Sequence, residues 1–141
     1  MNVLEQLQKI TTVVADTGDI ASIARLKPID ATTNPSIILK AAHQAEYAPL
    51  IERAIANTPA LPTASARLRA AMIEAAVSFG TEILKHIPGV VSTEVDARLS
   101  FDTMATVQEA RRVIQAYAKA GVARDRVLIK IASTWEGIQA A

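Results

Sequence analysis

The sequence lacks cysteine and has few aromatic residues, with one tryptophan, two tyrosines and two phenylalanines among 141 residues. The missing cysteines exclude disulfide scaffolds, zinc–thiolate and iron–sulfur sites, and a cysteine nucleophile. Fifteen basic residues against fourteen acidic ones give a net charge of +1. Because no Lys/Arg-rich run stands out, we expect no nucleic-acid partner. No apolar run approaches the roughly 18–20 residues that cross a bilayer, which predicts no membrane association.

Composition and length favour one globular domain. Half of the residues are hydrophobic and 21% are charged, a balance that argues against disorder. No repeat or linker divides residues 1–141, and roughly 100–200 residues is a usual domain size, so we predict a single domain without an internal boundary. The N-terminal segment carries Glu5 early and lacks a basic region followed by an apolar one. It is therefore not a signal peptide, and we expect a cytoplasmic protein.

Short β-branched runs alternate with helical patterns along the chain. Strands are predicted at residues 11–16, 30–33, 90–95 and 126–131. Helices are predicted at residues 36–42, 46–56, 64–87 and 102–120. This alternation is typical of α/β proteins with parallel strands and right-handed crossovers. Four such units are half of a TIM-type (β/α) barrel, which needs roughly 250 residues. The sequence thus predicts the first four βα units, a half-barrel.

The helical segments carry more detailed expectations. The pattern over 64–87 predicts an apolar stripe formed by Leu68, Met72, Ala76, Phe79, Ile83 and Ile87. The pattern over 102–120 predicts one apolar face formed by Val107, Ala110, Ile114 and Tyr117. Near the end, Ser133 and Glu136 have the spacing of a capping box. Because the helix that they would open stops at Ala141, we expect a truncated chain.

Four polar residues lie at or just beyond the ends of the predicted strands: Asp16, Asn34, Glu94 and Lys130. In parallel α/β folds, catalytic groups gather at that edge of the sheet. Lys130 lies within an otherwise apolar run, where an unpaired ammonium is costly to bury. This favours a nucleophilic amine that forms a Schiff base with a carbonyl. An edge-strand lysine that faces solvent is the alternative.

The acidic residues also allow two interpretations each. Glu94 and Asp96 point to one face of their strand. Glu94 fits either a carboxylate that relays protons through water to the amine or a carboxylate with a capping or ion-pairing role. For Asp96, an ion pair with Arg98 or a capping role is the better explanation. Asp16 fits either a general acid/base or an Asx turn.

The other polar candidates are substrate-binding groups. Thr32, Thr33 and Asn34 fit partners for a hydroxylated substrate, although Asn34 before a proline is also a good helix N-cap. The two histidines, His43 and His86, are isolated, and no nucleotide-binding motif occurs. The sequence therefore predicts neither a metal nor a cofactor.

Four segments resemble the signature regions of the transaldolase family. They are TTVVADTGD at 11–19, DATTNPS at 30–36, STEVDARLS at 92–100 and LIKIASTWEG at 128–137. The segments occur in the family's order and spacing along the whole chain. STEVDARLS and IKIASTWEG are more similar to the longer, standard transaldolases than to the short fructose-phosphate aldolases.

The resemblance implies a metal-free aldol mechanism in the pentose phosphate pathway, in which a dihydroxyacetone unit moves between sugar phosphates. By this resemblance, Lys130 is the lysine that forms the Schiff base. Glu94 is the carboxylate that acts with a water when the carbinolamine forms and dehydrates. Asp16 is the acid/base that takes the proton when the carbon–carbon bond breaks. Asn34 and Thr32 match groups that hold the dihydroxyacetone hydroxyls. Family members are about twice as long, and their second half supplies the phosphate-binding arginines.

The sequence leaves two alternative functions open, an enzyme and a structural fragment. The chain is either the first half of a transaldolase or an inactive half-barrel that acts as a self-associating structural fragment. In both cases exposed strand edges favour self-association or pairing with a C-terminal barrel half.

Overall fold

The computed structural model describes residues 2–141. Within them the strands form one four-stranded sheet in the order β1-β2-β3-β4. The strands are Val14–Asp16 (β1), Asp30–Thr32 (β2), Val91–Glu94 (β3) and Val127–Lys130 (β4). All three neighbouring pairs are parallel. The predicted four βα units of a half-barrel are confirmed, although each strand is shorter than predicted.

The helices alternate with these strands. They are Val3–Leu7 (α1), Ile20–Leu26 (α2), Pro35–Ala42 (α3), Ala48–Asn57 (α4), Ala64–Ile83 (α5), Thr103–Lys119 (α6) and Trp135–Ala140 (α7). The sequence patterns did not predict α1 and α2, which are short and begin at capping residues. Asp19 begins α2 by accepting a hydrogen bond from the Ser22 backbone N–H at 3.0 Å. In residues 2–141, no helix has the length and apolar character needed to span a bilayer.

The sheet has one face covered by helices and one open face. On the covered face, Ala31, Val91 and Val127 are almost completely buried. They pack with aromatic and aliphatic side chains of α5 and α6, among them Phe79 and Tyr117. The core therefore lies between the sheet and its helices. The open face corresponds to the interior of a complete barrel, and its residues alternate with the core residues along each strand.

Strand register sets the rows of side chains on the open face. Asp16 pairs with Thr32, Thr32 with Ser92, and Ser92 with Leu128, so these four residues form one row across the sheet. Glu94 pairs with Lys130 in the next row towards the carboxyl ends. Because paired residues of parallel strands point to the same side, the register brings polar groups from all four strands onto one surface.

Two of the predicted helix faces are wrong in part. Helix α5 ends at Ile83, and the first members of its predicted stripe, Leu68 and Met72, are 63% and 39% exposed. They belong to the N-terminal part of α5, whose buried residues all lie between Val77 and Ile83. In α6 the buried residues are Thr106, Glu109, Val113, Ala116 and Tyr117. Apart from Tyr117, the predicted face is rotated by one residue, and the buried face carries the polar Thr106 and Glu109 where the apolar pattern pointed to Val107 and Ala110.

The predicted cap of the last helix is also wrong. Helix α7 begins after Thr134, whose side chain accepts a hydrogen bond from the Gly137 backbone N–H at 3.0 Å. The Thr134 hydroxyl also donates to the Ser100 carbonyl, which ties α7 to the turn that follows β3. Ser133 is exposed instead. A tertiary hydrogen bond thus selects Thr134 over the neighbouring hydroxyl residue.

Candidate active site

An ion pair between Lys130 and Glu94 lies at the carboxyl ends of β3 and β4. The Nζ of Lys130 is 2.9 Å from Oε2 of Glu94. The two side chains are 38% and 26% exposed, so the pair is only partly shielded from water. The sequence predicted that the two groups face the same side, within reach of one water. The structure confirms that they face the same side, and it shows the two side chains in direct contact.

Main-chain hydrogen bonds fix the strand ends that carry these groups. The Val95 N–H donates to the Lys130 carbonyl at 3.1 Å and so extends the ladder one residue beyond Glu94. On the other side of β3, the Ser92 carbonyl accepts from the N–H and the hydroxyl of Thr33, at 2.9 and 3.1 Å. Thr33 is 1% exposed, and its hydroxyl is used by the Ser92 carbonyl. The predicted role of Thr33 as a partner for the substrate is therefore wrong, and the residue supports the end of β2 instead.

Asp16 is the last residue of β1, exposed on the same open face. It does not contact the ion pair, because β1 and β4 are three strand spacings apart, about 14 Å at about 4.8 Å per spacing. The Asp16 carboxylate accepts no hydrogen bond from residues 2–141. The Asp19 carboxylate instead accepts from the backbone N–H and the hydroxyl of Ser22, at the start of α2. The Asx-turn explanation of Asp16 is therefore wrong, and its carboxylate stays available to a ligand.

Asn34 and Thr32 lie at the end of β2. Asn34 is the N-cap of α3, and its Oδ1 accepts from the Ile37 N–H at 2.9 Å. That bond leaves its Nδ2 group without a partner among residues 2–141. Thr32 is half-buried beside Asp16 and Ser92 in the row defined above. The N-cap explanation of Asn34 is confirmed, and it leaves the amide donors free.

Asp96 pairs with Arg98 and not with the other polar residues at the strand ends. Its two carboxylate oxygens share the Nε–H of Arg98, at 2.9 Å each, and Oδ1 also accepts from the Arg98 backbone N–H at 2.9 Å. The Arg98 guanidinium holds the pKa of the Asp96 carboxyl below its usual value. The predicted ion pair and capping role of Asp96 are confirmed.

Glu109 of α6 is a further polar residue that sequence reasoning missed. It is 3% exposed, and its Oε1 accepts from the Asp96 N–H at 3.0 Å, just beyond the end of β3. Because the predicted apolar face of α6 is rotated by one residue, Glu109 was placed outside it. The signal was its spacing from Thr106 and Val113, three before and four after on one helical face.

The arrangement suits carbonyl chemistry by an amine. A lysine amine beside a carboxylate can lose a proton and attack a carbonyl, while the carboxylate moves protons to and from the oxygen that leaves. Within residues 2–141, no group of three His, Asp or Glu side chains has the arrangement of a metal site. The row of Asp16, Thr32 and Ser92 lies beside the Lys130–Glu94 ion pair on the same open face.

Comparisons with known proteins agree with this geometry. The family model for transaldolase/fructose-6-phosphate aldolase matches residues 13–141. A transaldolase of Methylomonas aminofaciens is 57% identical over 140 residues, covering 99% of this chain and 44% of that protein. Transaldolases of Aliivibrio fischeri strain MJ11 and Vibrio cholerae strain M66-2 are 58% and 57% identical, with 44% and 45% of their lengths covered. The chain thus spans less than half the length of these relatives. It belongs to the transaldolase/fructose-6-phosphate aldolase family.

Proposed function

We propose that this chain carries the Schiff-base half of a transaldolase active site. The observation that carries the proposal is the 2.9 Å contact between Lys130 and Glu94 at the carboxyl ends of adjacent parallel strands. The likeness to proteins named transaldolase supports the reaction class. The reaction moves a dihydroxyacetone unit from a ketose phosphate such as sedoheptulose 7-phosphate to glyceraldehyde 3-phosphate, in the pentose phosphate pathway of the cytoplasm.

Lys130 acts as the nucleophile. Its neutral amine attacks the ketose carbonyl, and the resulting carbinolamine loses water to give a protonated imine. Glu94 accepts the ammonium proton and returns a proton, through a water, to the departing hydroxyl. The 2.9 Å contact between the two side chains supports this role for Glu94, because a proton can pass between groups at hydrogen-bond distance.

Asp16 acts at the bond that breaks. The protonated imine takes up the electron pair of the carbon–carbon bond and becomes an enamine, while Asp16 takes the proton of the hydroxyl on the leaving fragment, which departs as an aldose phosphate. The acceptor aldehyde then adds to the enamine and its oxygen takes the proton back from Asp16, and hydrolysis of the new imine releases the product ketose and the free Lys130 amine. The wide separation between Asp16 and Lys130 leaves room for the substrate carbons between them, with Thr32 and Asn34 holding the dihydroxyacetone hydroxyls.

The open sheet face supports a partner for this chain. Val14 and Leu128 are 48% and 52% exposed there, and β1 and β4 are the edges of the sheet. Apolar side chains and unpaired strand edges favour association. We propose that residues 1–141 form half of one barrel domain and that a C-terminal barrel half covers this face. Water that reaches the pair in the uncovered chain would weaken it as a nucleophilic site.

Complementation tests the proposal. The chain is mixed with the remaining C-terminal part of the Methylomonas aminofaciens relative, and transfer from sedoheptulose 7-phosphate is measured together with sedimentation. We expect a complex with activity that Lys130→Arg abolishes, because guanidinium is not a usable nucleophile. Lys85→Arg, at an exposed lysine paired with Glu82, is the matched control and should keep activity. A complex with transfer activity in Lys130→Arg would refute the proposed nucleophile.

The exposed apolar residues of the open face also favour the second function, an inactive structural fragment. In that case the chain associates with itself or with the complementary half, but the complex shows no transfer under any condition.

A further inference from the structure

The turn that follows β1 carries Asp16 at its start, and the sheet supports this position from one side only. β1 is an edge strand of three residues, and within residues 2–141 it pairs only with β2. The pairing ends where Asp16 meets Thr32. Just beyond the exposed Asp16, the chain enters the core, because Gly18 and Ile20 are buried. The position of the Asp16 backbone therefore depends on what holds this turn.

Tyr47 holds the end of the turn where α2 begins. It lies in the short 3-10 helix Ala45–Tyr47, between α3 and α4, and is 7% exposed. Its hydroxyl oxygen accepts from the Ile20 backbone N–H at 2.9 Å, and its O–H donates to Oδ1 of Asp19 at 3.5 Å. Its ring packs edge-on against that of Phe79 on α5, with 5.6 Å between the ring centroids. Core packing thus fixes a hydroxyl group that binds the first turn of α2.

Gly18 places the middle of the same turn directly on α3. A Cβ at Gly18 would lie 3.0 Å from Cγ2 of Ile37, and 3.1 Å from the Ile37 carbonyl oxygen and from Cβ of Ala41. These distances are shorter than ordinary van der Waals contacts, so the turn and α3 touch backbone to side chain. Because α3 begins at its N-cap Asn34, the turn after Asp16 and the residue that carries the second substrate-binding group pack together.

We infer that Tyr47 is a positioning residue for Asp16. Its hydroxyl holds the turn after β1 and thereby keeps the Asp16 carboxylate where it takes the proton during carbon–carbon cleavage. This role rests on the proposed function of Asp16 and Lys130. Glu94 and Lys130 lie on β3 and β4, two and three strands away from β1. Loss of the Tyr47 hydroxyl should therefore slow cleavage and leave imine formation unchanged.

Tyr47→Phe tests this role in the complex with the C-terminal barrel half, because it keeps the ring against Phe79 and removes the hydroxyl. Turnover of sedoheptulose 7-phosphate should fall at least about tenfold, since a misplacement of about 1 Å can cost about 10²-fold in rate. The rate of imine formation, measured by stopped-flow trapping with borohydride, should not change. A loss of folded protein would lower both rates by the same factor. Thr58→Val is the matched control and should change neither rate, because the Thr58 hydroxyl bonds to the Ala54 carbonyl at the end of α4.

Hydrogen exchange in the chain of 141 residues tests the contact without any activity. Tyr47→Phe should speed exchange of the Ile20 amide at least about tenfold, because the first turn of α2 opens locally when this bond is lost. Exchange of the Val95 amide, which donates to the Lys130 carbonyl at 3.1 Å, should not change. Unchanged exchange at Ile20 would overturn the assigned role of Tyr47.

Undiminished turnover in Tyr47→Phe would overturn the positioning role alone, as would an equal fall in turnover and imine formation. Absence of transfer in the complex with the original chain would overturn the proposed function, and the positioning role with it. If Tyr47→Phe does not fold, as judged by circular dichroism, Gly18→Ala decides the question. Its Cβ would push the turn away from Ile37, so turnover should again fall while imine formation stays unchanged, and an equal effect on both rates would contradict the role.

Discussion

The hydroxyl groups of Thr93 and Tyr117 lie 2.6 Å apart, at the residue that precedes Glu94 on β3. Both side chains are 1% exposed, and burial raises the pKa of Tyr117 to about 12. A Cβ at Gly80 would lie 1.8 Å from the Tyr117 hydroxyl, so the glycine of α5 makes room for this contact. The pair therefore ties β3 to α6 and holds the backbone that carries the Glu94 carboxylate.

Tyr117→Phe should destabilise the fold. It leaves the Thr93 hydroxyl buried and unpaired, which costs roughly 1–3 kcal/mol. Urea unfolding at pH 7 measures this loss. Replacing both partners, in Thr93→Val with Tyr117→Phe, should restore part of the stability because no polar group stays unsatisfied. Equal stability of Tyr117→Phe and the original chain would contradict the role of this pair.

The stability of Tyr117→Phe should also depend on pH differently from that of the original chain in alkaline solution. The pKa of Tyr117 is raised from 10.0 to about 12 in the folded chain. The unfolded chain therefore loses the tyrosine proton first, and the original chain loses stability as pH rises from 10 towards 12. Tyr117→Phe lacks this contribution, so the stability difference between the two chains should narrow over that range. A constant difference would show that Tyr117 ionises equally in both states.

The stability difference between Asp96→Asn and the original chain should depend on pH in the acidic range, and not in the alkaline range as for Tyr117→Phe. Arg98 lowers the pKa of the folded Asp96 carboxyl below its ordinary value of 3.8. The stabilisation is fully present above pH 3.8 and is lost as pH falls through the lower folded pKa. Asp96→Asn should thus be less stable by up to about 1 kcal/mol at pH 7, and the difference should vanish in acid. Asp125→Asn, at an exposed aspartate, is the control, and a difference that grew in acid would contradict the assignment.

The sequence predicted the sheet well because strand periodicity and turn residues act locally. The positions of Asp16, Glu94 and Lys130 at strand ends followed from that pattern alone. Tertiary contacts decided what the pattern left open. Thr134 caps the last helix instead of Ser133 because it reaches the Ser100 carbonyl. Glu109 escaped prediction because a carboxylate interrupts an apolar pattern, and its buried position is matched by a tertiary hydrogen bond from the Asp96 N–H.

Asp16→Asn should separate imine formation from carbon–carbon cleavage in the complex with the C-terminal half. Lys130 and Glu94 are intact in this variant, so a ketose phosphate should still be trapped as an imine. An amide cannot accept the hydroxyl proton, so turnover should fall by about 10²–10⁴-fold, the usual contribution of a general base. Asp30→Asn is unsuitable as a control because Asp30 accepts from the Val90 N–H at 2.7 Å. Asp125→Asn serves instead, and undiminished turnover in Asp16→Asn would remove Asp16 from the mechanism.

Glu94→Gln should slow imine formation without displacing the lysine. The amide keeps an oxygen near Lys130 Nζ but can no longer take its proton. Stopped-flow trapping in the same complex should show imine formation slowed by about 10²–10⁴-fold. Glu136→Gln, at a carboxylate of α7, is the matched control. Imine formation at an unchanged rate in Glu94→Gln would show that another group moves the proton.

The most direct test of the central claim is the site of covalent capture. The complex of this chain with the C-terminal barrel half is incubated with fructose 6-phosphate, reduced with borohydride and mapped by peptide mass spectrometry. We expect a reduced dihydroxyacetone adduct on Lys130 that is absent in Lys130→Arg. An adduct on a different lysine, or an undiminished adduct in Lys130→Arg, would contradict it.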